Sequence, residues 1–174
     1  MSDTPEFSRL HDLRGITAAP VELVATPEEC AALAKRFGLV AVHSLAASLS
    51  LQAKGPEVSA TGPMRAEIVQ SCAVSGDDLP ASIAEDIAIR FVPLAALEAS
   101  EAEAEIELTP EDLDVIGYTG TSFDLGEAVA QSLTLAIDPF AVGPNADEVR
   151  REKGLIEEAA SGPLAEALRG LKDG

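Results

Sequence analysis

The stretch Leu45-Ala46-Ala47-Ser48-Leu49-Ser50-Leu51-Gln52-Ala53 is followed, after Lys54-Gly55-Pro56, by Val58-Ser59-Ala60-Thr61-Gly62-Pro63-Met64-Arg65-Ala66-Glu67-Ile68. In the first half the apolar residues occupy odd positions (Leu45, Ala47, Leu49, Leu51 and Ala53), with Ser44, Ser48, Ser50 and Gln52 between them. In the second half they occupy even positions: Val58, Ala60, Met64, Ala66 and Ile68. A period of two puts one set of side chains on each face of a strand, and the intervening Gly-Pro reads as a turn. A third run sets Ala81, Ile83, Ile87, Ile89 and Phe91 against Ser82, Asp86 and Arg90. Between runs two and three, Ser75-Gly76-Asp77-Asp78-Leu79-Pro80 is a turn by residue type. Three alternating runs joined by turns predict an antiparallel meander with one wet face.

Outward from this meander, Thr26-Pro27-Glu28-Glu29 is a helix start with a cap, a proline at the first position and a capping-box Glu29. Cys30, Leu33, Ala34 and Phe37 then share one face, and Gly38 closes the helix. Val21–Val24 ahead of it reads as a strand. Beyond Pro93, residues 95–105 carry Glu98, Glu101, Glu103 and Glu105 and read as part of a mobile acidic loop over about 95–112. A short strand is expected at Asp114–Tyr118. A second helix opens at Asp124, with Asp124 and Glu127 at capping-box spacing. Its apolar stripe is Leu125, Ala128, Val129, Leu133, Ala136 and Ile137, and Pro139 stops it. Asn145 begins a short helix through Arg150, Arg151 and Lys153, and Gly162-Pro163 begins a last one bearing Leu164, Leu168 and Leu171. The fold class is therefore α+β: an antiparallel meander sheet, open or barrel-like, packed with two main helices, an acidic loop and a partly mobile C-terminal tail. The domain runs over 1–140, and 141–174 is an extension with short helices.

Of the 174 residues 47% are hydrophobic but only 3% aromatic, so Leu, Ile, Val and Ala are expected to build the core. The formal net charge is −18 and it is unevenly placed. Residues 66–149 hold one base, Arg90, and eighteen acids; residues 1–65 hold six bases and seven acids, and 150–174 five of each. Such a surface repels phosphate backbones and attracts basic partners. The longest apolar stretches, such as 39–47, fall short of the roughly 20 residues a spanning helix needs. The opening Met1-Ser2-Asp3-Thr4-Pro5-Glu6 is acidic, the opposite of a signal peptide's start, so a cytoplasmic location is expected and Cys30 and Cys72 are expected as thiols.

A nucleophilic site needs a base beside the nucleophile and a group to orient it. The two histidines are His11, near the start of the chain, and His43, beside Ser44 on a strand where neighbours point to opposite faces. Paired-carboxylate catalysis requires a set separation that surplus acids cannot reveal. Cys72-Ala73-Val74-Ser75 has the spacing of a CxxC with its second thiol replaced, and zinc sites want four ligands. Neither GxGxxG nor GK[ST] occurs, and the only basic stretches lie at 150–153 and at Arg169 and Lys172. The residues thus offer no catalytic or metal constellation and call for no cofactor.

In order and spacing, several segments resemble the bacterial YceD-like family, also found in chloroplasts. Gly62-Pro63-Met64 through Ser71-Cys72 is similar to the strand leading to the family's cysteine, and Leu79 and Phe91-Val92-Pro93 to positions after it. Phe123-Asp124-Leu125-Gly126-Glu127-Ala128-Val129, running to Pro139, is similar to the family's DL-x-E helix. Pro163-Leu164 through Leu171-Lys172 resembles its carboxy-terminal tail, and Pro5-Glu6-Phe7-Ser8-Arg9 with 31–37 resembles the alphaproteobacterial branch. Two departures are Ser75 in place of a second thiol and Phe140-Ala141-Val142-Gly143-Pro144 in place of Pro-x-His and a later Cys. If some relatives bind metal there, this chain should not. The motif residues are Cys72, Phe91, Pro93, Asp124, Leu125, Glu127 and Pro139; the candidate partner-binding residues of the tail are Leu164, Leu168, Arg169, Leu171 and Lys172.

The resemblance implies a role in accumulation of large-subunit ribosomal RNA. Charge adds that a basic ribosomal protein, or a pre-ribosomal RNA–protein particle met partly through the tail, is an easier partner than naked RNA. The expectation is a non-enzymatic ribosome-assembly factor that does not enter membranes. Its rivals are an acidic adaptor or nucleic-acid mimic unrelated to ribosomes and, further off, a small enzyme with a scattered site.

Overall fold

The computed structural model describes residues 5–103 and 114–155. Among the described residues seven strands and four α-helices follow in the order β1 (Leu10–Asp12), β2 (Val21–Val24), α1 (Pro27–Phe37), β3 (Ala41–Lys54), β4 (Glu57–Ser71), β5 (Asp78–Pro93), α2 (Leu94–Glu103), β6 (Asp114–Tyr118), β7 (Ser122–Asp124), α3 (Leu125–Ala136) and α4 (Ala146–Glu152). By compactness the described chain falls into two units, one of residues 5–70, 80–103 and 114–138, the other of 71–79 and 139–155.

In the larger unit the sheet has the order β2-β3-β4-β5-β6. The alternating stretches form β3 and β4, antiparallel from Ala41 opposite Val69 to Lys54 opposite Glu57. Their alternation is obeyed: Leu45, Ala47, Leu49 and Leu51 are buried on β3, and Val58, Ala60, Met64, Ala66 and Ile68 on β4. A register shift between Val42 and Ser44 resets the phase, so Val42 is buried while His43 and Ser44 are both exposed. The expectation that these two point to opposite faces is therefore corrected, although no hydrogen bond joins them. The link from β4 to β5 spans only residues 72–77, too short for a parallel crossover, so the meander continues antiparallel. The expected strand at 114–118 joins β5 in parallel, Phe91 opposite Ile116. Among the described residues β2 and β6 end the order, so the sheet is open and the barrel-like alternative falls away.

α1 begins as its sequence requires: Thr26 accepts from the Glu29 N–H, Glu29 accepts from the Thr26 N–H, and Gly38 closes the helix at φ 66°. Cys30, Leu33 and Ala34 are its buried face. The acidic loop expected at about 95–112 is corrected over its first part, since α2 occupies Leu94–Glu103. Ala, Leu and Glu are strong helix formers, and over Leu94–Glu103 their propensity outweighs the acid content. Leu94 also rests on β6, where a Cβ built on Gly117 would lie 2.8 Å from its Cδ1. The remainder of that loop and the helix expected after Gly162-Pro163 lie outside the described residues.

The core is aliphatic with an aromatic centre that composition understates. Phe7, Phe91 and Phe123 are fully buried. Phe123 is the hub, with Phe91 4.6 Å and Tyr118 6.1 Å away between ring centroids. Phe7 enters from the segment before β1, which pairs with β7 as a separate two-stranded ribbon, Leu10 opposite Asp124 and Asp12 opposite Ser122. Strands of three residues carry no readable periodicity, so this ribbon has no signature in the sequence. The segment runs so close to α3 that a Cβ on Gly126 would stand 2.6 Å from the Phe7 carbonyl oxygen and 2.9 Å from the Arg9 nitrogen. Backbone cannot yield as a flexible side chain does. Gly126→Ala is therefore expected to destabilise the fold by about 1–3 kcal/mol, the usual range for overpacking; an unchanged denaturant midpoint would show that the segment does not seat as described.

Candidate functional site

Five of the motif residues come together in the larger unit. Asp124 is the N-cap of α3, and its carboxylate accepts from the Glu127 N–H at 3.1 Å, from the Arg9 N–H at 2.7 Å and from the Ser8 hydroxyl. Leu125, fully buried, donates its N–H to the Arg9 carbonyl at 3.1 Å. Glu127 does not complete the expected capping box. Its carboxylate instead takes both guanidinium nitrogens of Arg36, at 2.8 and 2.7 Å, while Arg36 also reaches Glu6 at 2.9 Å. This fork holds Glu127 below the ordinary carboxylate range. A second fork from Arg9 to Glu29, at 2.7 and 2.8 Å, brings Glu29 down to about 2. Phe91 is the buried partner of Phe123, and Pro93 sits opposite Tyr118, whose hydroxyl donates to the Pro56 carbonyl. A cleft of about 380 Å³ opens here, lined by Phe91, Tyr118, Phe123, Asp124, Glu127 and Gln131. Its two carboxylates are already engaged by donors, so their chemistry is to tie the N-terminal segment and α1 to α3.

The other two motif residues, Cys72 and Pro139, belong to the smaller unit. Its turn is closed by the Cys72 N–H to the Asp77 carbonyl at 2.7 Å and the Gly76 N–H to the Cys72 carbonyl at 3.0 Å. The stretch after Pro139 lies against it, with the Ala73 N–H donating to the Ala141 carbonyl at 2.9 Å. The Cys72 sulfur accepts from three backbone N–H groups: Gly143 at 3.3 Å, Ser75 at 3.3 Å and Val74 at 3.5 Å. These donors favour the thiolate, and the thiol falls from an ordinary 9.0 to about 6, with Gly143 the largest cause. Cys72 is only 4% exposed, covered by the backbone that wraps it. Cys30, buried on α1, is shifted the opposite way by desolvation. Nothing in the sequence distinguishes the two thiols, because Gly143 reaches Cys72 across 71 residues only in the folded chain.

Ser75 does not replace a missing thiol as a metal ligand. Its hydroxyl donates to Asp77 at 2.7 Å, and Asp77 also accepts from Asn145 at 3.3 Å. Among the described residues no group of three or more His, Cys, Asp or Glu side chains converges on a point, so the residues present do not fit a zinc site. His43 stands exposed on β3, and His11 bonds the Gly15 carbonyl at 3.2 Å. Leu164, Leu168, Arg169, Leu171 and Lys172 lie outside the described residues.

No protein-family model matches the chain, and neither a curated protein nor a solved structure matches it significantly.

Two outcomes follow from the Cys72 environment. Because the thiol is depressed in the folded chain, its stabilisation is complete above the unfolded value of about 9 and is lost as pH falls through about 6. Melting curves should therefore show Cys72→Ser losing relative stability against the parent as pH rises from 6 to 9; parallel pH profiles for the two would contradict the three-donor geometry. Separately, protein purified without chelator should carry well under one equivalent of zinc by elemental analysis, and stoichiometric zinc released by Cys72→Ser would sink that reading.

Proposed function

We propose that this chain is a non-enzymatic factor supporting large-subunit ribosomal RNA accumulation, and that it acts through a basic ribosomal protein or an RNA–protein particle in the cytoplasm. The observation that carries the reading is the run of motif segments from Gly62 to Pro139 in the order the YceD-like family has them. Charge supports the choice of partner. Residues 66–149 carry eighteen acids against Arg90, and Glu67, Glu85, Asp86, Glu98 and Asp114 are exposed. A surface of that sign raises encounter rates with cations and opposes bare phosphate backbones. The engagement of the Asp124 and Glu127 carboxylates by donors within the fold favours binding over acid–base chemistry, since their oxygens already serve structural bonds. Among the described residues no helix is long and apolar enough to cross a membrane.

Sedimentation of a native extract tests the proposal. The chain should travel with large-subunit precursors and leave them as salt rises, because exposed charges are screened beyond about 8 Å at physiological ionic strength. Deleting the gene should lower large-subunit RNA relative to small-subunit RNA. Migration at the top of the gradient with an unchanged RNA ratio would leave an acidic adaptor unrelated to ribosomes as the better account.

A further inference from the structure

At the end of the sheet, β6 and α3 enclose a groove. One cavity of about 260 Å³ is lined by Glu85 and Asp86 of β5, Asp114 of β6, and Ser132, Leu135 and Ala136 of α3. A second, of about 160 Å³, continues it past Val115 and Ile116 and shares Asp114, Ser132 and Leu135 with the first. The groove is apolar where α3 faces it and acidic at one end. On the α3 side Leu135 is 74% exposed, beside Ala136 and the partly buried Ile116. Glu85, Asp86 and Asp114 are exposed, and no cation among the described residues forms an ion pair with any of them. Arg65 lines the far side of Glu85 and Asp86 without pairing with either. The floor makes no polar demand, since the Ser132 hydroxyl is satisfied by the Ala128 carbonyl at 3.1 Å.

We propose that this groove binds an extended lysine- or arginine-rich segment of a partner protein. One apolar residue of the segment covers Leu135 of α3, and cations beside it face Glu85, Asp86 and Asp114. The occupant follows from charge and shape together. Three carboxylates that form no ion pair among the described residues, beside the exposed Leu135, suit neither a nucleic acid nor an uncharged peptide. β6 ends the sheet order among the described residues, and its five residues extend about 17 Å, the span of a strand-like segment. An extended peptide is the form that lies along such an edge. The inference deepens the proposed function, resting on it for the partner's source but not for the groove.

The test titrates a fluorescent Lys-Val-Lys-Leu-Arg-Lys peptide into the full chain and follows anisotropy. Binding should weaken at least about tenfold in Glu85→Gln/Asp86→Asn/Asp114→Asn, and also in Leu135→Ser. A control removing as many exposed acids elsewhere, Glu28→Gln/Glu98→Gln/Glu148→Gln, should change it less than about twofold at physiological salt. All substituted positions are exposed, so melting curves should stay together. Amide shifts on peptide addition should concentrate in β6 and the second half of α3. Equal weakening by groove and control variants, shifts spread over the molecule, or tighter binding of a single-stranded RNA of six nucleotides through the same residues would each overturn the proposal. Ribosomal co-sedimentation separates the two readings: if it persists in the groove variants, the groove fails and the function stands, whereas specific peptide binding without co-sedimentation refutes the function alone.

Discussion

The carboxylate of Asp124 is the point on which the larger unit hangs. It starts α3 by accepting the Glu127 N–H, and it holds the N-terminal segment through Ser8 and the Arg9 N–H. A helix cap contributes about 1 kcal/mol. The segment it holds delivers Phe7 to the core, and burying such a side chain contributes roughly 1.5–3 kcal/mol. The two guanidinium forks nearby are a third exposed on the arginine side, a setting in which ion pairs contribute about 0–1 kcal/mol each. Burial of Phe7 is therefore the larger effect, and the forks fix the angle at which the segment, α1 and α3 meet.

The acidic surface has its own structural logic. Among the described residues no acid is buried, with Glu67, Glu85, Asp86 and Asp114 exposed on strands and Glu98 on α2, so the core is aliphatic and aromatic and needs no buried charge. Their mutual repulsion is tolerable because each faces water, where pairwise energies are about 1 kcal/mol at 4 Å. At the end of the sheet the pattern changes, since Glu85, Asp86 and Asp114 stand beside aliphatic side chains that water covers poorly. Solubility alone needs charge there, not exposed leucine.

Cys72 shows how one residue type takes opposite character in two settings. On α1 the thiol of Cys30 meets apolar neighbours, and desolvation favours the neutral form. In the turn of the smaller unit, three N–H dipoles point at sulfur and favour the anion. Two of the donors, Val74 and Ser75, follow Cys72 in the chain and are a consequence of the turn. The third, Gly143, is 71 residues away and has the largest effect.

Much of the architecture was legible in the amino acids. The phases of β3 and β4, the Thr26 capping box, the start of α3 at Asp124 and the strand at 114–118 all rest on interactions within a few residues, where side-chain period and cap chemistry are direct physical signals. Acid content in 95–103 misled because helix propensity and the seat of Leu94 over Gly117 outweighed it. Other features needed the folded chain: the bulge at His43, the β1–β7 ribbon, the Arg36 fork that takes Glu127 from its cap, the Gly143 donor to Cys72, and the meeting of Glu85 and Asp86 with Asp114. Each joins groups far apart in the chain or breaks a local period. Spacing along a polymer constrains near neighbours strongly and distant ones hardly at all, so these partners were chosen by packing.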